Sequence, residues 1–240
     1  MIESLDNSKI KSLRKLKEKK YRDKEKLFLI EGEHLVIEAY KTNLLKEVIL
    51  CNKELDIDVP KIYVSEKVMN TLSDLQSKVG IIGVCEIKEN ILDYKDNILI
   101  LDGVQDPGNL GTIIRSALAF NIKNIVLSKD TVDLYNTKVL RSAEGNNFHL
   151  NIVRDDLEKV ITTLKEKKYV IYGTDVVDGI DIKDVKNKEK YAIIMGNEGN
   201  GIKEYIKKMV DKNIYIPMNE NCESLNVGVS ASIILYELNK

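Results

Sequence analysis

NILILDGVQDPGNLGTIIRSALAF, Asn97 to Phe120, opens as an unbroken apolar run, turns at Pro107-Gly108 and continues with apolar residues at helical spacing. A strand without polar alternation is buried on both faces, and a helix directly after it returns the chain as a parallel sheet requires. The pattern recurs downstream. NIVLS, FHLNIV, KYVIYGT, KYAIIMG and NIYIPM read as strands; a segment around LYNTKVLRSA, then DLEKVITTLKEKK, IKEYIKKMVD and LNVGVSASIILYEL read as helices. Residues 91–240 are therefore expected to form one α/β domain on a parallel sheet. Ligands of such sheets bind beyond the carboxyl ends of the strands. Chemistry is expected in the loops after NILILD, KYAIIMG and NIYIPM.

Upstream the elements are shorter. Ile10, Leu13 and Leu16 place a helix over 8–20, KLFLIEG is a strand ending at Gly32, and EHLVIEAYKT is a helix. KEVILC and PKIYVS read as strands, VMNTLSDLQ as a helix and GIIGVCEI as a closing strand. Residues 1–90 thus form a second, smaller α/β unit, and EIKENILDYKDN (86 to 97) reads as the linker. The whole chain carries a net charge of −1, but Met1 to Lys26 holds ten Lys/Arg against five Asp/Glu. Such an opening suits phosphate contact and equally a solvated helix face. Three scattered cysteines and two histidines give neither a disulfide framework nor a zinc motif. A charged start without an apolar h-region, and no apolar run near the roughly 18 residues of a membrane span, point to a cytoplasmic protein.

Three loops carry the polar residues. In the first, Asn109 sits where a helix N-cap belongs, with Arg115 about one and a half turns in. A cap amide, free backbone N–H groups and a guanidinium make an anion seat, although a capped helix with a surface Arg has the same pattern. The second, MGNEGNGI (195 to 202), has glycines that admit close backbone approach at Gly196, and Glu198 can accept hydrogen bonds or pair with Arg115. Its GxxGxG spacing departs from the GxGxxG of dinucleotide sites, and GxxxxGK[ST] is absent. In the third (216 to 238), Ser224 is a natural N-cap for the closing helix, Asn226 follows two residues later, and Leu225 can line a flat ligand. Neither GxSxG nor a magnesium-type carboxylate cluster occurs.

In this order the loops resemble the three motifs of the SpoU (TrmH-type) branch of the SPOUT methyltransferases, over residues 97–240 without a gap. Residues 1–90 resemble the family's substrate-binding domain, itself similar to small ribosomal proteins that grip folded RNA. The resemblance implies an α/β domain with a deep trefoil knot, a rare topology, that binds S-adenosyl-L-methionine and works as a homodimer. It implies that the backbone at Thr174, Gly196, Ile216, Met218 and Leu225 holds the cofactor, and that Asn109, Arg115, Glu198, Ser224 and Asn226 form the polar active-site set. Ala143, Glu144 and Asn151 depart from the family pattern, at positions that bear on substrate choice.

The activity implied is methylation of a ribose 2′-hydroxyl in structured RNA. Ribosomal RNA is favoured over transfer RNA, because a separate N-terminal binding domain accompanies the ribosomal branch more often. A guanidinium stays protonated, so Arg115 is expected to orient the RNA rather than to act as a simple base. A catalytically silent RNA-binding or ribosome-assembly factor is the competing reading. Pure binding would not require the full polar set, and a nucleotide-dependent oxidoreductase is more distant still.

Overall fold

The computed structural model describes residues 1–75, 79–176, 178–186 and 189–239, and its chain divides into two compact units. The first contains Met1–Glu89 and also Tyr135–Phe148, a segment that falls within the 91–240 of the sequence division. Its elements begin with α1 (Ser8–Lys15), α2 (Lys19–Glu25), β1 (Leu27–Glu31) and α3 (Glu33–Lys41). They continue with β2 (Leu45–Leu50), β3 (Lys61–Tyr63), α4 (Glu66–Leu72) and β4 (Ile81–Glu86). Gln76, the last residue of the helix expected after Val68, lies outside the described residues.

Where one helix was expected over 8–20, two form. Asn7 caps α1 through its side chain, and Ile10, Leu13 and Leu16 are buried. Arg22 then donates to the carbonyls of Leu16 and Lys17, at 2.8 and 2.7 Å, and so satisfies groups a helix end leaves open. Arg22 is itself buried, so one of the ten opening cations serves the fold. The sheet runs β1-β4-β2-β3, antiparallel except for the β2–β3 pair.

The second unit begins with β5 (Ile98–Leu101), α5 (Pro107–Ala119) and β6 (Asn124–Leu127). The next helix, α6 (Thr137–Ala143), belongs to the first unit, where Leu140, Tyr135 and Phe148 join Phe28 and Val36 in one apolar cluster. The second unit resumes with β7 (Asn151–Arg154), α7 (Leu157–Glu166), β8 (Val170–Thr174) and β9 (Ile180–Asp181). It ends with β10 (Tyr191–Met195), α8 (Glu204–Lys207), β11 (Lys212–Tyr215) and α9 (Val227–Leu238). These strands form a seven-stranded parallel sheet in the order β7-β6-β5-β10-β8-β11-β9. β5 and β10 are buried at every position, as apolar runs without alternation require. Ile98, Ile100, Ala192 and Ile194 share a core with Val160, Ile161 and Leu164 of α7.

Three expected elements differ. FHLNIV is not one strand: Glu144 and Gly145 adopt left-handed conformations after α6, Asn146–His149 is a 3-10 turn, and pairing starts at Asn151. IKEYIKKMVD yields only the short α8, because the Asp211 N–H bonds to Ile171 O at 2.9 Å and draws the chain onto the sheet. The two-residue β9 was not anticipated; its pairing with β11 is a tertiary event without local periodicity.

The strand order sets up the site. β10 enters between β5 and β8, and β11 lies beyond β8, so the carboxyl ends of four strands stand side by side. Loops 102–106, 196–203 and 216–226 leave from that edge, as does the chain after Thr174.

Candidate active site

The loop ending at α5 is built around one carboxylate from another loop. Asp106 is the N-cap, accepting from the Asn109 N–H at 2.9 Å, and Pro107 takes the first helical position. Asn109 is therefore not the cap but the third helical residue, and Arg115 lies about two turns in on an exposed face. The Asp-Pro pair was the available signal, since Pro is pre-set for N1 and Asp for the cap before it. Glu198 accepts from the backbone N–H groups of Gln105 and Asp106 at 3.1 and 3.0 Å, and from Asn109 Nδ2 at 3.0 Å. Partial burial raises its pKa, but these hydrogen bonds outweigh that and hold it below the ordinary carboxylate range. An anion at a helix N-terminus is stabilised in the same sense.

Asn109 continues the ladder. Its Oδ1 accepts from Asn226 Nδ2 at 2.8 Å, and Asn226 Oδ1 accepts from the N–H groups of Gly228 and Val229. Asn226, not Ser224, is thus the N-cap of α9; Ser224 lies exposed two residues before it. One line of side chains, Glu198–Asn109–Asn226, ties the three loops together.

The second loop folds on itself. Asn197 and Gly201 exchange two backbone hydrogen bonds, and Asn197 Oδ1 accepts from Gly199 and Asn200. This leaves no room at Gly196, where a Cβ would stand 2.2 Å from the Gly201 carbonyl carbon. The glycine is required first by its own loop.

Beneath the loops lies a polar hub that sequence reading did not find. Asp102, fully buried at the end of β5, accepts from the Lys203 N–H at 2.8 Å and from Lys203 Nζ at 2.7 Å. The same ammonium reaches Asp130 Oδ1 at 2.9 Å. Burial works against the lysine's charge, but the two carboxylates outweigh it and raise its pKa. Partners so far apart in sequence leave no local signature.

The loops enclose a cavity of about 500 Å³. Thr174, Gly196, Ile216, Met218 and Leu225 all line it, and so do Glu198, Ser224 and Asn226. Asn109 and Arg115 stand outside the lining, Asn109 one hydrogen bond away. Asp175 and Lys207 form an ion pair among the lining residues at 3.5 Å, also unforeseen.

The fold aligns over nearly its whole length with solved RNA methyltransferases, one of them assigned to the TrmH family, from Porphyromonas gingivalis. The chain belongs to the SpoU rRNA methylase family, whose model matches residues 96–236. An MRM3-like substrate binding domain model matches residues 7–83. The chain is 38% identical to the 23S rRNA (guanosine(2553)-2′-O)-methyltransferase RlmP of Bacillus subtilis, over 99% of its own length and 98% of the relative's. An AdoMet-bound rRNA methyltransferase from Sinorhizobium meliloti, 27% identical, matches with a TM-score of 0.87 over 98% of this chain and 95% of that one. An RNA 2′-O ribose methyltransferase, 28% identical, matches with a TM-score of 0.83 over 98% and 96%.

Proposed function

We propose that this protein transfers the methyl group of S-adenosylmethionine to a ribose 2′-hydroxyl of structured ribosomal RNA, as a homodimer in the cytoplasm. The cavity carries the reading. Its size is that of a small-molecule site, and it joins backbone edges at Thr174 and Gly196 to the apolar side chains of Ile216, Met218 and Leu225. That combination fits a flat purine nucleoside, and these five residues would hold the adenosine and methionine parts. When bound, the cofactor supplies an electrophilic methyl on a sulfonium sulfur.

The chain's own residues supply alignment. Glu198, Asn109 and Asn226 hold the three loops in register around the cavity. Ser224, on the lining, offers a hydroxyl to the ribose. Arg115, on an exposed face of α5, carries the planar guanidinium suited to bidentate contact with RNA phosphate. Fixing the phosphate fixes the ribose, which brings its hydroxyl in line for attack.

The name of the Bacillus relative supports ribosomal RNA as the substrate class. The first 90 residues bind the RNA and residues 91–240 perform the chemistry. Lys11, Arg14, Lys15, Lys19, Lys20 and Lys24 are exposed around α1 and α2, where phosphate contacts are expected. Val229, Ile233 and Tyr236 leave an apolar strip exposed on α9, which supports packing against a second copy. The interleaved order of β8, β10 and β11 suits a knotted threading of the C-terminal segment. Among the described residues no helix is long and apolar enough to cross a membrane.

Three measurements test the proposal. Isothermal titration is expected to show binding of S-adenosylmethionine and none of nicotinamide cofactors; the reverse would overturn it. Mapping of 2′-O-methyl groups in a deletion strain is expected to show one lost from ribosomal RNA. Loss from transfer RNA would move the substrate, and no loss would favour a silent assembly factor. Sedimentation at micromolar concentration is expected to show a dimer, and a fully active monomer would refute that part.

A further inference from the structure

Lys203 does more than close a salt bridge. Its backbone N–H and its ammonium both bind Asp102, the fully buried residue where β5 ends and loop 102–106 begins. The ammonium also binds both oxygens of Asp130, at 2.9 and 2.8 Å. Asp130 accepts from Ser128 Oγ at 2.7 Å, and Ser128 Oγ in turn accepts from the Gly103 N–H at 2.9 Å. Gln105 Nε2 donates to the Asp130 carbonyl at 2.5 Å. Thus Asp102, Gly103 and Gln105 of the first loop are all fixed to a hub whose ammonium comes from the chain directly after the glycine-rich loop. Ile202, one residue earlier, lines the cavity.

The geometry points to a specific consequence. We propose that Lys203 is a positioning residue: by holding Asp102 and Asp130 together, it sets the register between the cofactor loop 196–202 and the start of α5, which carries Asn109 and Arg115. The inference rests on the methyltransferase reading of the same cavity. It adds that the cofactor and the RNA-orienting groups are aligned from below, through a residue that touches neither. Glu198 ties the same two loops from above, through the N-terminus of α5. Two ties at different levels resist rotation of one loop against the other, where a single tie would act as a pivot.

A structural salt bridge and a positioning tie predict different outcomes once the buried charge is dealt with. Lys203→Met leaves Asp102 buried without its cation, a strongly destabilising state whatever the lysine's role. The double variant Asp102→Asn/Lys203→Met removes that charge. Asp130→Ala cuts one arm of the hub and leaves Asp102 paired. Melting temperature, titration with S-adenosylmethionine and single-turnover methylation of ribosomal RNA from a deletion strain are measured on each full-length protein. The double variant is expected to melt near the wild type, yet to bind cofactor about tenfold more weakly and to turn over about a hundredfold more slowly. Asp130→Ala is expected to melt as the wild type does and to lose rate several-fold at saturating cofactor and RNA. Lys203→Arg, which keeps a cation able to reach both carboxylates, is expected to restore most of the rate. Recovery of stability, affinity and rate together in the double variant would reduce Lys203 to charge neutralisation and overturn the proposal. A wild-type rate in Asp130→Ala would overturn the three-way tie, whether or not the other variants fold. A wild-type chain that binds no S-adenosylmethionine would instead overturn the functional reading on which the inference rests.

Discussion

The two ends of the parallel sheet in the second unit use polar residues for opposite purposes. At the amino ends of the strands they lock the incoming chain against the sheet. Asn124, fully buried, exchanges two hydrogen bonds with the backbone of Asp93, at 3.0 and 3.1 Å. The Tyr169 hydroxyl lies 2.6 Å from Tyr94 O and 2.9 Å from Asp96 O, and burial with the nearby carboxylates pushes its pKa up to about 12. Lys190 donates to the same Tyr94 carbonyl, and Asn97 Oδ1 accepts from the Tyr191 N–H. At the carboxyl ends Glu198, Asn109, Asn226 and Lys203 instead join loop to loop and leave a cavity between them. The backbone cause is general: successive parallel strands end on the same side, and where their order is interrupted the loops part. Substitutions at the carboxyl end that leave no buried charge unpaired should therefore change function more than stability, and those at the amino end the reverse.

The largest functional effect is expected at Arg115. Arg115→Ala and Arg115→Lys should both bind S-adenosylmethionine as the wild type does, since the residue stands outside the cavity lining. Both should lose single-turnover rate by about a thousandfold, because alignment is realised mainly in the transition state and Lys lacks the planar fork. A rate near wild type in the Ala variant would return Arg115 to a surface residue.

Gly196 comes next. Its Cβ would meet the Gly201 and Ile202 backbone at 2.2 and 2.3 Å, so Gly196→Ala must displace the loop rather than merely crowd a ligand. Cofactor affinity should fall at least about a hundredfold, about 2.8 kcal/mol, with far-UV circular dichroism retained. Unchanged affinity would mean that the loop can yield without disturbing the cavity.

Asn124 tests the opposite end. Asn124→Ala leaves the Asp93 N–H and carbonyl without their buried partner and should cost about 1–3 kcal/mol of stability. Cofactor affinity should not change. A loss of affinity comparable to that of Gly196→Ala would break the contrast between the two ends.

The asymmetry also governs what the sequence made legible. The strands β5, β6 and β10, buried at every position, were readable because burial on both faces demands apolar runs, and the loops after β5, β10 and β11 were readable because strand ends locate ligands. All five residues assigned to the cofactor do line one cavity. The caps were misplaced by two or three residues. For α5 the Asp106-Pro107 pair was the signal passed over, whereas for α9 Ser224 and Asn226 are equally good caps by residue type and only geometry chooses between them. The hub was illegible for another reason: Asp102 and Lys203 meet across 101 positions of chain, and no local pattern marks either. The fate of Tyr135–Phe148 was hidden likewise, since an amphipathic helix does not record which apolar cluster it will join.

The smallest effect should appear in pH dependence, at Glu198. Its pKa in the folded protein lies below the ordinary value of 4.5, since Asn109 and the backbone of α5's first turn favour the carboxylate despite partial burial. A lowered carboxylate pKa means that the unfolded chain takes up the proton first as the solution is acidified. The stabilisation from ionised Glu198 is therefore complete above pH 4.5 and is lost as the pH falls through the lower folded value. Glu198→Gln keeps an acceptor of similar shape but has no proton to exchange. At pH 7 it should melt about 2 °C below the wild type, a modest gap because the group is exposed and screened by solvent. As the pH falls from 4.5 through the lower folded value that gap should close, since the wild type alone loses this contribution. Asp130, also lowered, titrates in both proteins and cancels in the difference. A gap that stays constant through this range would show that Glu198 holds α5 through shape alone. The charge assigned to the ladder at the carboxyl end would then be no more active than the neutral amides at the amino end.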